Sequence, residues 1–201
     1  MIDHSTNIIR LYEQNAHQWD RDRGKTVIEK PWLDRFLDLQ PKNPEILDLG
    51  CGAAEPIARH LVENGCSVTG IDSATGMIDL CQKRLPDQTW IVSDMRDLAL
   101  YRKFTGIIAW NSFFHLPHDD QRKMFSVFSK HAMQGAALLF TSGTEHGVSI
   151  GEYQNTPLYH ASLDGAEYRQ LLERHDFDVI SHVTEDPDCG MQTVWLAQYR
   201  V

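Results

Sequence analysis

No stretch of this chain approaches the roughly 20 consecutive apolar residues that a bilayer-crossing helix requires, so no membrane partner is expected. Basic side chains are also in short supply: 19 Lys and Arg stand against 28 Asp and Glu, a formal net charge of −9. Nucleic acid is bound chiefly through clustered Lys and Arg, so it is not expected as a partner, and a small molecule suits the charge better. Cysteine is sparse and scattered, with Cys51, Cys66, Cys81 and Cys189 forming no C-x-x-C pair and having no histidine at ligand spacing. Neither a disulfide framework nor a zinc site is indicated. No trio of carboxylates marks a magnesium site either, so no metal is expected. The opening residues Met1-Ile2-Asp3-His4-Ser5 lack the basic and apolar regions of a secretory signal, and a cytoplasmic location is expected.

With 42% hydrophobic and 23% charged residues, the 201-residue chain has the composition of an ordinary globular protein. One domain over residues 1–201 is expected, since domains commonly run to about 100–200 residues. Helical periodicity is read from about Thr6 to Trp19, and a second helix opens with Pro31-Trp32-Leu33. Strands are then expected at Ile46–Leu49, Ser67–Ile71, Thr89–Val92, Gly106–Trp110 and Ala136–Thr141, with helices beginning near Glu55, Thr75, Arg96 and Asp119. Ser73 is expected to cap one helix, and Asp164 with Glu167 to form a capping box opening Ala166–His175. Asp178–Val183 and Thr193–Tyr199 are expected to pair antiparallel, because the turn residues Pro187 and Gly190 lie between them. Alternation of this kind implies an α/β fold with a parallel sheet and helices on both faces.

The densest signal is Glu45-Ile46-Leu47-Asp48-Leu49-Gly50-Cys51-Gly52-Ala53-Ala54-Glu55-Pro56, where an apolar run ends in an acidic residue and two alternate glycines. Such a strand-to-helix turn lets a ligand approach the backbone. A dinucleotide site wants G-x-G-x-x-G, so that a pyrophosphate can face the helix N-terminus. Glu55 stands at the third glycine position, and its charge would repel a diphosphate. An NAD-dependent oxidoreductase is therefore the weaker alternative. Asp48, Gly50 and Gly52 match the acidic-x-Gly-x-Gly-x-Gly motif, with Ala54 at the last place, and here the chain resembles the class I S-adenosylmethionine-dependent methyltransferases of small-molecule type. The resemblance implies a Rossmann-like, doubly wound sheet of seven strands with the last one antiparallel. It also implies S-adenosyl-L-methionine as cofactor and methyl transfer to a small-molecule acceptor, or, as an alternative, cofactor binding without catalysis.

Ligands of open parallel sheets sit beyond the carboxyl ends of the strands. Asp72 ends the second strand some twenty residues past the glycines, where an acidic side chain can accept both ribose hydroxyls. Ser73 and Met77 follow it toward the cofactor. By resemblance, Asp94 is expected to take the adenine amino group, and the main chain of Met95 a ring nitrogen. Trp110 is expected to wall the adenine or methionine portion. Residues 1–40 resemble the lid helices of such enzymes, with Tyr12, Trp19 and Arg23 closing over the cofactor and the guanidinium suited to the methionine carboxylate. The competing reading of Tyr12, Ala16 and Trp19 is the buried stripe of an amphipathic surface helix.

In-line methyl transfer needs alignment first, and a proton acceptor near working pH where the nucleophile retains a proton. The long polar segment 143–163 is expected to form an acceptor-binding insertion. His146, Tyr159 and His160, together with His115 after the fourth strand, are the candidate catalytic side chains. Amino-methylating enzymes acting on adenine or glutamine carry Asn- or Asp-Pro-Pro-aromatic after that strand. Asn111-Ser112-Phe113-Phe114 departs from it, so nucleobase amino groups are not expected acceptors.

Overall fold

The computed structural model describes residues 4–201; the first three residues of the expected lid segment lie outside the described residues. Two N-terminal helices, α1 (Ile8–Asp22) and α2 (Lys30–Asp38), precede the alternating core. That core runs β1 (Glu45–Leu49), α3 (Ile57–Glu63), β2 (Ser67–Asp72), α4 (Thr75–Arg84), β3 (Thr89–Val92), β4 (Phe104–Ala109), α5 (His118–His131) and β5 (Ala132–Ser142). A hairpin of β6 (Gly147–Tyr153) and β7 (Thr156–Ser162) follows, then α6 (Gly165–Arg174), β8 (Phe177–Asp186) and β9 (Gln192–Tyr199).

Seven strands form one sheet in the order β3-β2-β1-β4-β5-β9-β8, with β1 to β5 parallel. β9 runs antiparallel to both β5 and β8, as the turn residues between the last two strands predict. Side chains on successive strand positions point to opposite faces. Ile107, Ala109, Leu138 and Phe140 accordingly pack with Phe125, Phe128, Tyr168 and Trp195 on one side. Ile46, Ile108, Ala137 and Leu139 pack with Trp32, Phe36, Leu61 and Ile78 on the other. The sheet is therefore covered on both faces, and ligand access is left to its edges and strand ends.

Two expected elements differ. The helix anticipated near Arg96 is a single 3₁₀ turn, Met95–Asp97. Beyond it Leu98 is buried and Leu100 packs against the core, while Ala99 and Tyr101 are exposed, an alternation that suits extended chain. The Leu100 N–H donates to His131 Nε2 at 3.2 Å instead of to a helical carbonyl. The segment read as a long polar stretch is a β-hairpin, closed by Gln154 and Asn155 at φ +51° and +56°. Positive φ at both central residues marks a type I′ turn, which usually advertises itself as Asn-Gly.

Candidate functional site

The chain leaves β1 through Gly50-Cys51-Gly52. Gly50 sits at φ +75°, and a Cβ there would lie 2.2 Å from the Ser112 Cβ, so no larger residue fits. Its N–H and that of Cys51 both donate to the Ile71 carbonyl, at 2.7 and 3.0 Å, which ties the turn to β2. Asp72 then fastens the loop to α4: its carboxylate accepts from Gly52 N–H and Ala74 N–H, each at 2.9 Å. Ser73 is not the helix cap that its residue type suggests, because Ala74 occupies that position and the Asp72 carboxylate closes the turn. At the last place of the acidic-x-Gly-x-Gly-x-Gly motif, buried Ala54 adopts φ +63°, a conformation glycine takes more cheaply.

A cavity opens over the carboxyl ends of β1, β2, β3 and β4, at the point where the winding reverses. Gly50, Gly52, Asp72, Ser73, Met77, Asp94 and Met95 line it together with Tyr12 and Trp19 of α1 and with His115. Burial pushes the Asp72 carboxyl up to about 6. Asp94 is pushed up by burial too, but hydrogen bonds from Arg96 outweigh this and hold it below the usual range. Arg96 is shared with Asp120, at 3.1 Å.

A neighbouring hollow, sharing Trp19, Gly52 and Asn111 with the first, is lined by Asp48, Trp110 and Arg23. Asp48 is buried, and desolvation followed by the charge of Asp72 raises it to about 7. Glu55 borders the same hollow and is ion-paired to Lys25 and Arg59, both at 2.7 Å. Burial opposes its ionisation, but these partners prevail and its pKa is lowered. An anionic carboxylate therefore stands where a dinucleotide site needs a glycine.

α1 covers the cavity and is fastened on two sides. Arg84 of α4 grips Asp20 through two bonds of 2.7 and 2.5 Å, and Glu13 accepts the Thr75 N–H at 2.5 Å. Toward the hairpin, Tyr12 meets Trp19 edge-on at 5.1 Å and Trp19 meets Tyr153 at 5.2 Å. Tyr153 completes the link with a 2.9 Å bond from its hydroxyl to Asp22.

Residues 46–135 match the family described as a methyltransferase domain. The chain carries a class I methyltransferase fold. Over 115 residues it is 29% identical to a dTDP-3-amino-3,6-dideoxy-alpha-D-glucopyranose N,N-dimethyltransferase of Streptomyces fradiae, a match spanning 57% of this chain and 44% of that protein. It is 35% identical over 106 residues to a demethylmenaquinone methyltransferase of Thermotoga maritima, covering 49% of this chain and 46% of the relative. The chain thus spans less than half the length of these relatives in the matched region. Its fold superposes on a magnesium protoporphyrin IX methyltransferase of Synechocystis with a TM-score of 0.74 at 16% identity, over 98% of this chain and all of the other.

In this methyltransferase fold the four catalytic candidates do not converge. His115 lines the cavity and is held at both nitrogens: Nδ1–H donates to the Tyr159 carbonyl at 2.7 Å, which leaves Nε2 to accept from the Tyr12 hydroxyl at 2.9 Å. Burial pushes it down to about 4 and raises the Tyr12 phenol, so this pair is neutral at physiological pH. His160 lies behind, its ring centre 4.8 Å from that of His115 and 5.1 Å from that of Phe114. Tyr159 is not among the residues lining the cavity; its ring packs with Ile8 and Ala161, and its carbonyl accepts from His115. His146 stacks on His118 at 4.3 Å and, with His160, lines a separate cavity under the hairpin. Sequence reasoning passed over Ile8, Ile9, Ser93 and Pro117, and named no contact for Asn111; all of these border the cavity over the strand ends. Only Asn111 carries a local sign: it occupies φ +48°, a region Asn tolerates better than most residues.

Among the described residues no group of three or more His, Cys, Asp or Glu side chains is placed to hold a metal ion, and no helix is long and apolar enough to cross a membrane.

Proposed function

We propose that the protein is an S-adenosylmethionine-dependent methyltransferase acting on a small-molecule acceptor. The observation that carries this reading is the juxtaposition in one cavity of the Gly50–Gly52 turn, the Asp72 carboxylate and the Asp94–Met95 main chain, beside an ionised Glu55 that disfavours a diphosphate. Asp72 suits the ribose hydroxyls and Asp94 with Met95 the adenine edge, while Ser73 and Met77 line that end. Asp48, Trp110 and Arg23 belong to the amino-acid end. When bound, the cofactor supplies an electrophilic methyl group on a sulfonium. The protein's own part is to orient the acceptor and exclude water.

Residues 1–40 act as the lid and the 143–163 hairpin as the acceptor-binding insertion, the aromatic chain from Tyr12 to Tyr153 holding them together. His115 is an orienting group: with a pKa near 4 and both nitrogens engaged, it is a poor proton acceptor at neutral pH. That favours an acceptor, such as a neutral amine, that attacks without prior loss of a proton. The relatives named for an amino-sugar and for demethylmenaquinone support small acceptors as a class. Titration calorimetry tests the reading: adenosylmethionine and adenosylhomocysteine should bind at micromolar concentrations, and Asp72→Ala should abolish binding. Absence of binding by the unsubstituted protein at millimolar ligand would refute it.

A further inference from the structure

Arg23 and Glu29 form an ion pair that the sequence motifs do not announce. Arg23 closes α1 and Glu29 opens α2, so their side chains meet across the connecting loop. The Glu29 side chain is 1% exposed; one oxygen accepts from Arg23 Nη2, and the other is buried without a hydrogen-bond partner among the described residues. A carboxylate removed from water with a single ionic contact is an expensive way to staple two helices. Its geometry has a second effect. Among the described residues Arg23 donates one bond to Glu29 through Nη2 and makes a long 3.4 Å contact with the Gly24 carbonyl through Nη1, so the guanidinium keeps donors, Nε–H among them, for a further acceptor.

Among the described residues Arg23 is also the sole cationic side chain lining the hollow beside Asp48, which carries three acidic ones, Asp20, Asp48 and Glu55. The same hollow contains Trp110, whose buried indole N–H has no acceptor among the described residues. An orphaned donor and a half-engaged guanidinium together describe a place for an anion inside an otherwise acidic wall.

We infer that Glu29 is a positioning residue: it fixes the Arg23 guanidinium so that its remaining donors, with the Trp110 N–H, receive the carboxylate of the amino-acid portion of the cofactor. This rests on the proposed cofactor reading and assigns Glu29 a specificity role within it. Glu29 itself touches no ligand.

The test compares two ligands by calorimetry, adenosylhomocysteine and 5′-methylthioadenosine, which keeps the adenosine and thioether but lacks the amino-acid group. In Glu29→Gln and Glu29→Asp, adenosylhomocysteine should weaken by about tenfold or more, while 5′-methylthioadenosine stays within about twofold. Arg23→Lys should show the same split, since an ammonium cannot reproduce paired donors. The shorter aspartate keeps the charge and guards against a variant that fails to fold. Equal weakening of both ligands would reduce the pair to a structural staple and overturn the inference, as would unchanged affinity for both. An unsubstituted protein that binds neither ligand would refute the cofactor reading itself.

Discussion

Asp48 and Asp72 are where burial and charge compete most sharply. Their carboxyls are raised from 3.8 to about 7 and about 6, so the folded protein holds these protons more tightly than the unfolded chain. Their stabilising contribution is complete below about pH 4 and is lost as pH rises toward 7. Asp48→Asn should remove most of this loss and raise stability at pH 8 by an amount on the order of 1–4 kcal/mol, measured by denaturant unfolding across pH. A cationic ligand reverses the preference, because it favours the ionised carboxylates. Affinity for adenosylmethionine should therefore increase between pH 5.5 and 8, as the two carboxyls at about 6 and about 7 ionise, and more steeply than affinity for uncharged-sulfur adenosylhomocysteine. A flat calorimetric pH profile would show that neither group faces the ligand. Ala54 offers a smaller test. Changing it to Gly relieves ~1–2 kcal/mol of left-handed strain, but forfeits a buried methyl worth ~0.8 kcal/mol and adds unfolded-state entropy worth ~0.4–1 kcal/mol. Thermal unfolding should register a change of less than about 1 kcal/mol.

At the scale of elements, the hairpin is held by position more than by its own packing. Val148 and Ile150 on β6 are half exposed, whereas Tyr159 and Ala161 opposite them are buried against α1. The turn is also locally suboptimal, since Gln154 and Asn155 both adopt positive φ without a glycine. Replacing Gln154-Asn155 by Asn-Gly should stabilise the protein by about 1 kcal/mol, raising the melting temperature while leaving cofactor affinity unchanged. α1 depends on longer reach. Arg84 joins it to α4 and also donates to the Ala53 carbonyl in the cofactor turn at 2.9 Å. Arg84→Ala should accelerate amide exchange throughout α1 and weaken adenosylhomocysteine several-fold, because α1 and the glycine turn lose a common anchor. Exchange confined to α4 would contradict that linkage.

Across the whole molecule, the sheet sorts the chemistry. The reversal between β1 and β4 gathers the ends of four parallel strands around one cavity, and α1 covers it through Ile8, Ile9, Tyr12 and Trp19. A buried polar network supports the far wall: Gln121 donates to the Leu116 and Ala161 carbonyls at 2.8 and 2.9 Å and accepts from Tyr168 at 2.6 Å. This couples the segment after β4 to the base of the hairpin, so the two share one buried polar support.

The succession of strands along the chain, the glycine turn and the acidic strand ends were legible because each is a local pattern: alternation sets β1 to β5, and Gly50, Gly52 and Asp72 lie within one strand-helix-strand unit. The hairpin escaped because Gln154-Asn155 lacks the usual turn signature, and the helix near Arg96 was overridden by burial of Leu98 and Leu100. The histidines mark the boundary of sequence reasoning most clearly. Residue type nominated His115, His146 and His160 alike, but only packing put His115 between Tyr12 and the Tyr159 carbonyl, lowered its basicity by burial, and left His146 stacked on His118 elsewhere. A chain fixes which groups are available; distance and desolvation, which arise only when remote segments pack, determine what those groups can do.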